Sequence, residues 1–265
     1  LPYDVVVERL HIEEPEPPAP VTEPEKTFEE VLDEHPVSIQ VNGQWQTFPN
    51  AKAAEEASYE EYKANLRRNA KNFRITDEHL GEGGPKAKFQ ANVNAIRLLK
   101  ELESAGQQAS PEQQEILSRY VGWGGIPDAF DPEKPAWASE YTQLKELLTP
   151  EEYAAARSST LNAHYTSPTV IQAIYEAVGR MGFETGNILE PSMGVGNFFG
   201  MLPEEMRNSR LYGVELDPVS GRIAKQLYPK ADITVGGFET TDRRDFFDLA
   251  IGNVPFGQYQ VNDKA

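Results

Sequence analysis

Hydrophobic and polar positions change rhythm three times along the chain. The run "VSIQVNGQWQTF" alternates, with Asn42-Gly43 at its centre. Both central residues of a type I′ turn need positive φ, so this pair predicts a β-hairpin. A helix rich in Ala, Glu and Lys is expected over residues 51–69, with Trp45 and Phe48 packed on it. Apolar residues then recur near helical spacing at Phe89, Val93, Ile96, Leu99 and Leu102, which predicts a buried helical face. Ser110, Pro111 and Glu112 form a helix start, with an N-cap, a proline in the first turn and an early acid. Further helices are expected over 139–148 and 150–157.

From about residue 162 helices alternate with short apolar strands. Ser167 and Pro168 open a helix with Val170, Ile171, Ile174 and Val178 on its apolar face, and Gly182 ends it. "NILEPSMGVGNFF" reads as a strand ending in an acid, a glycine turn and a short helix. "RLYGVELDP" is a second strand ending in acids. Asp217-Pro218 starts another helix, with Ile223 and Leu227 inward. "ADITVGGF" and "FFDLAIGNVPF" supply a third and a fourth strand. Such alternation predicts an α/β fold, a partial doubly wound parallel sheet of four strands. A mainly helical region and a small β-hairpin segment precede it. The implied division is an acidic Pro-rich linker (1–34), hairpin plus helix (35–72), a helical region (73–161) and the α/β part (162–265).

Charge changes this picture in one place. The net charge is −17, and residues 1–34 hold eleven acidic and two basic side chains (2 − 11 = −9), leaving −17 + 9 = −8 for the rest. That segment, with "EPEPPAPVTEPEK", reads as an extended tether, Val5 to Val7 before it being a short β-prone run. No basic stripe is visible elsewhere, so any grip on DNA phosphates is expected to come largely from outside this chain. There is no cysteine, and the four histidines are not closely spaced, so no metal site is expected. No apolar run nears the roughly 20 residues of a membrane helix, which predicts a cytoplasmic protein without a membrane partner. The chain opens on Leu1, as a piece of a larger protein would.

Two glycine clusters stand apart. Gly81, Gly83 and Gly84 precede Lys86 without the spacing of a phosphate loop, and are expected to form a turn before a helix. Gly122-Trp123-Gly124-Gly125 fits either a packed corner or the wall of a cleft. In doubly wound sheets ligands sit beyond the carboxyl ends of the strands. The unusual residues fall there: Glu190, Gly194 and Gly196; Glu215 and Asp217; Gly237 and Phe238; Asn253 to Phe256. The turn lacks the dinucleotide pattern GxGxxG. The acid before it suits a cation, and Glu215 stands where ribose hydroxyls are commonly held. A cofactor with ribose, adenine and positive charge but no phosphate is S-adenosylmethionine.

"ILEPSMGVGNF", "GVELDP" and "IGNVPF" together resemble the S-adenosylmethionine-dependent DNA N6-adenine methyltransferases that carry the cofactor motif before the catalytic one. "DEHLGEGGPKAKFQANVNAI", "LSRYVGWGGIPDAF" and "AHYTSPTVI" extend the resemblance to the large methylase–helicase fusions of phages and conjugative elements, over most of 73–265. The resemblance implies that Tyr165, Thr166, Glu190, Pro191, Gly194, Gly196, Asn197, Glu215, Leu216 and Phe238 hold the cofactor. Asn253, Val254, Pro255 and Phe256 stand for the family's Asn-Pro-Pro-Tyr/Phe: the asparagine oxygen and the next carbonyl take hydrogen bonds from the adenine amine, and the aromatic stacks on a flipped-out base. Val254 replaces a proline, and Gly237 stands where the family often has an acid for the adenine amine of the cofactor. Glu239 could replace that acid only if the strand does not continue past it. DNA and a downstream helicase region are the implied partners. A non-catalytic cofactor- or DNA-binding module of a mobile-element or anti-restriction protein is the alternative, and a purely structural acidic protein a third. Three more strands follow the fourth in the family, so the chain ending at Ala265 is expected to be the N-terminal half of the domain, inactive alone.

Overall fold

The computed structural model describes residues 35–161 and 165–254. The tether expected over 1–34 and the catalytic-motif residues Pro255 and Phe256 lie outside these residues. The chain divides into two compact units, Leu1–Ala64 and Asn65–Ala265.

In the first unit, β1 (Val37–Val41) and β2 (Gln44–Phe48) pair antiparallel. Asn42 (φ 52°) and Gly43 (φ 75°) both take the left-handed conformation at the turn. Helix α1 (Ala51–Asn69) follows, and its start is capped where the Asn50 side chain accepts from the Ala53 amide at 2.8 Å. The expected packing of Trp45 does not occur. Trp45 is 72% exposed, while Phe48 is half-buried. Residues 45 and 48 are three apart, so strand alternation sends them to opposite faces, and one helix cannot cover both.

In the second unit, α2 (Pro85–Ser104) buries the expected stripe, Phe89, Val93, Ile96, Leu99 and Leu102. Gly84 is its N-cap and Pro85 begins it, which makes the Gly81–Gly84 cluster a turn into a helix. Helix α3 (Pro111–Ser118) opens with a complete capping box between Ser110 and Gln113. Helices α4 (Ala138–Leu147) and α5 (Pro150–Ser159) follow. Aromatic edges knit this region: Phe89 to Trp123 (6.0 Å between centroids), Phe89 to Trp137 (5.9 Å) and Trp123 to Phe130 (5.2 Å).

Then come α6 (Pro168–Arg180), β3 (Asn187–Glu190), α7 (Asn197–Gly200), β4 (Arg210–Glu215), α8 (Pro218–Leu227), β5 (Asp232–Val235) and β6 (Leu249–Ala250). In α6 Ile171 and Tyr175 are buried but Val170 is exposed, one position off the expected face. Ser167 is its N-cap residue, without a side-chain capping bond.

The four strands are parallel in the order β5-β4-β3-β6. From β3 the chain steps outward to β4 and β5, then returns to the other side of β3. The strand order therefore reverses between β3 and β6, and the crevice beyond their carboxyl ends is the site such sheets offer a ligand.

The sequence pattern separates 73–161 from the α/β part; the structure joins them in one core. Helix α8 is the joint. It packs on β4 and β5 and also on α2, α3 and α5. Small residues on it (Ser220, Gly221, Ala224) are buried and permit the close approach. Backbone carbonyls at its end take hydrogen bonds from the Gln114 and Gln108 side chains and from the Phe73 amide. A buried carboxylate adds a second tie: Glu152 of α5 pairs with Lys100 of α2 and Arg222 of α8, both at 2.8 Å.

Candidate functional site

β3 ends at Glu190, which is 2% exposed. One of its oxygens, Oε2, has no hydrogen-bond partner among the described residues, while the amides of Phe198 and Phe199 at the start of α7 face the carboxylate. Burial pushes its pKa well above the usual carboxylate range, and the neighbouring charge of Glu215 pushes it further; the amides only partly offset this.

Glu215, at the end of β4, is held differently. Its Oε2 accepts from the Gly194 amide and its Oε1 from the Asp217 amide, each at 2.7 Å. Burial still leaves its pKa raised. Asp217 caps α8 by accepting from the Ser220 amide at 2.7 Å, and its other oxygen is buried without a partner among the described residues. Three carboxylates thus converge at this end of the sheet. Burying such groups unpaired is costly, and a cationic group is the natural complement.

The glycine turn between β3 and α7 is shaped by an aromatic ring. Gly194 has φ 56°, and a Cβ there would lie 2.8 Å from a Tyr165 ring carbon. On the ring's other flank Gly122 has φ 67°, and a Cβ there would lie 2.6 Å from the ring. Tyr165 is clasped between two backbone segments that only glycine supplies. Its hydroxyl meets Ser220 Oγ at 3.3 Å. Gly122 in turn is fixed by Asn92, a buried amide inside the apolar stripe of α2. Asn92 donates to the Gly122 carbonyl (2.6 Å) and accepts from the Val121 amide (2.9 Å). Trp123 beside it is fully buried. The Gly-Trp-Gly-Gly segment is therefore a packed corner, and that corner backs the tyrosine beside the glycine turn.

Two apolar side chains stand open beyond adjacent strands. Leu216, after β4, is 73% exposed, and Phe238, after β5, is 53% exposed. β5 stops at Val235, and residues 238–240 form a tight turn closed by Thr240 onto the Gly237 carbonyl. This turn brings Glu239 back: a Cβ built on Gly237 would fall onto the Glu239 carboxylate. Glu239 thus occupies the space that an acid at 237 would use. Thr166, Pro191 and Asn197 are half-buried around the same turns, and Gly196 (φ 84°) leads into α7.

β6 is short, and the Ile251 amide continues its pairing onto the Leu189 carbonyl at 2.9 Å. A Cβ on Gly252 would lie 3.5 Å from Glu190 Cγ and from Pro191. Asn253 therefore leaves the sheet directly beside Glu190, with Asn253 and Val254 exposed.

No protein-family model matches the chain. Over 92 residues, 35% of the chain, it is 39% identical to the Type II methyltransferase M.CvrRI of Paramecium bursaria Chlorella virus XZ-6E. Over that stretch the chain is similar to a methyltransferase. Over 180 residues, 67% of the chain, it is 28% identical to "Defense against restriction protein B" of Escherichia phage P1. The matched stretches span only 24% and 6% of those two relatives. A Listeria monocytogenes structure provisionally assigned as a class I S-adenosylmethionine-dependent methyltransferase aligns at 15% identity and TM-score 0.34, over 66% of this chain and 60% of that one.

The sheet order and the strand-end acids suit the expected module. Glu190, Pro191, Gly194, Gly196, Asn197, Glu215 and Leu216 fall on the ends of β3 and β4 and on the turn between them. Tyr165 is brought onto that turn from before α6. Asn92 and Ser220 are not singled out as site residues by sequence pattern, and Glu239 enters there only as a conditional replacement for the acid missing at 237. A polar residue interrupting an apolar helical stripe is the available signal for Asn92.

Proposed function

We propose that the protein containing this chain transfers a methyl group from S-adenosylmethionine to the N6 amine of adenine in DNA. The observation that carries the reading is the pair of buried carboxylates at the switch point, one with an unpartnered oxygen, beside the strand end that presents Asn253. The residues present fit this cofactor. Glu190 Oε2 is an acceptor awaiting a cationic donor. Glu215, locked by two amides, is available to ribose hydroxyls. Leu216 and Phe238 offer apolar faces to an adenine ring, and Glu239 is an acceptor for its amine. When bound, the cofactor supplies an electrophilic methyl group.

The chain's own contribution is positioning and polarisation. Asn253 accepts a hydrogen bond from one N–H of the target amine through its side-chain oxygen, and the Val254 carbonyl accepts one from the other N–H. Both bonds favour a tetrahedral nitrogen whose lone pair is free to attack. Because the second acceptor is a backbone carbonyl, valine serves as well as proline, at some cost in stiffness. Phe256 takes the stacking role against the extruded base. DNA is the substrate in this reading, and a helicase region belongs to the same polypeptide.

The test is methyl transfer to adenine-containing DNA by the full-length protein, with the product nucleosides separated and weighed. N6-methyladenine that disappears in Asn253→Ala is the expected result. Transfer that survives this substitution, or methylation of another base, overturns the mechanism. A second reading rests on Val254: a module that binds cofactor or DNA without turnover, serving a helicase or countering restriction. It predicts cofactor binding with no transfer in the same assay.

A further inference from the structure

A cavity of about 720 Å³ opens at the far end of the sheet from the site above. It is lined by Lys71, Arg74, Arg207, Arg210 and Lys230, with Asp232 as the one acid in its wall. Arg210 is the first residue of β4 and Asp232 the first of β5, so the cavity lies at the amino ends of the strands. β4 has six residues, which puts roughly 20 Å between its two ends.

In a chain of net charge −17 such a gathering of cations is unexpected. It is only partly neutralised from within. Asp232 is already engaged by Arg243 at 2.7 Å, a sixth cation that lies over the Tyr212 ring at 4.5 Å. Among the described residues Arg74 donates only to the uncharged Leu202 carbonyl (2.9 Å), and Arg207 pairs with the exposed Glu204 (2.7 Å). The side chains of Lys71, Arg210 and Lys230 have no ion pair or hydrogen bond among the described residues. The backbone under them is tied by hydrogen bonds. The segment carrying Lys71 and Arg74 is pinned where the Phe73 amide donates to the Leu227 carbonyl (2.8 Å) and the Ile75 amide to the Gly200 carbonyl (2.9 Å). The Lys230 amide is tied to the Asn72 side chain at 3.0 Å. Phe73 and Tyr212 contribute an apolar and aromatic wall.

Like charges held together on fixed backbone repel one another unless an anion sits among them. Guanidinium and ammonium groups in such a set match phosphate oxygens, and an aromatic wall beside them suits a base. The geometry points to a second site, at the amino ends of the strands, that binds the phosphates of a nucleotide: either successive nucleotides of a nucleic-acid strand or a free nucleoside polyphosphate. It does not depend on the methyl-transfer reading, since none of its residues belongs to that site.

The test is fluorescence anisotropy of a labelled single-stranded 20-mer oligonucleotide with the 265-residue chain, across 50–300 mM NaCl, with ATP as competitor. Its variant is K71Q/R210Q/K230Q. The expected result is binding whose affinity falls with salt. In the triple variant affinity drops at least tenfold at 50 mM NaCl, and the slope of log K against log[salt] falls by about two, at roughly 0.7 for each phosphate that is no longer neutralised. Displacement by millimolar ATP assigns the free polyphosphate as the ligand source; oligonucleotide binding that ATP does not displace assigns the strand. All three substituted residues are exposed, so the thermal midpoint should hold; if the triple variant unfolds, K71Q and K230Q singly should each lower the slope by about 0.7. Three results overturn the proposal: no binding of oligonucleotide or ATP at 50 mM NaCl, binding indifferent to the substitutions, or equal binding of poly-glutamate, which would show bare charge attraction.

Discussion

Glu190→Gln separates what Glu190 does for binding from what it costs the fold. In the protein its carboxyl is buried, its Oε2 is unpartnered among the described residues, and its pKa lies well above the ordinary value through burial and then Glu215. An unfolded glutamate has a pKa of about 4.3. The raised folded value means the native state holds the proton more tightly than the unfolded one. The associated stability is therefore complete below about pH 4.3 and is lost as pH rises through the folded pKa. Glutamine keeps the shape and one acceptor for the Phe198 and Phe199 amides, but carries no charge. At pH 7.5 the variant should be more stable by about 1–2 kcal/mol, the scale of an unsatisfied buried polar group. That corresponds to roughly 3–6 °C in thermal midpoint for a unit of this size. The advantage should shrink to nothing as pH falls towards 4.3. S-adenosylmethionine reverses the order, since a ligand at a hundred times its Kd stabilises by about 2.7 kcal/mol and should do so only for the wild type. The assay is thermal unfolding from pH 4.5 to 8, with and without the cofactor. A variant less stable than wild type at pH 7.5, or a gap that does not grow with pH, refutes the reasoning.

Three other substitutions probe the frame around the site. Gly194→Ala forces a left-handed alanine against Tyr165 and should cost about 1–3 kcal/mol, together with weaker cofactor binding by calorimetry. Asn92→Leu leaves the Val121 amide and the Gly122 carbonyl unpaired, at about 1–3 kcal/mol for each group, measured by urea unfolding. Glu152→Gln has the opposite pH signature to Glu190→Gln. Burial pushes the Glu152 carboxyl up, but Lys100, the Thr149 amide and Arg222 together hold it below the ordinary value. Its stabilisation is present above about pH 4.3 and lost as pH falls through the lower folded value. The variant should therefore be destabilised at pH 7 and converge on wild type in acid.

Much of this is readable from local pattern. Helix α2 announces itself through Phe89, Val93, Ile96, Leu99 and Leu102, and α8 through Asp217-Pro218 with Ile223 and Leu227 inward, because helical period and capping are local properties. Strand ends carrying Glu190 and Glu215 are equally visible. What local pattern misses is assembly. The five cations of the second cavity come from residues 71–74, 207–210 and 230, so no stretch of sequence looks basic. Glu239 cannot be placed without knowing that β5 stops at Val235 and the chain turns back. The union of helical region and sheet rests on α8 being covered on two sides, which no single helix's periodicity reveals. Trp45 departs from expectation for a simpler reason, the three-residue offset along a strand that separates it from Phe48.

Everything proposed for methyl transfer depends on the switch-point crevice being an S-adenosylmethionine site. Titrating the cofactor into the 265-residue chain by isothermal calorimetry, alongside Glu190→Gln and Glu215→Ala, tests this most directly. The expected result is one saturable site in the wild type, lost or greatly weakened in both variants. No heat in the wild type together with no shift in its thermal midpoint, or equal binding by all three proteins, would contradict it.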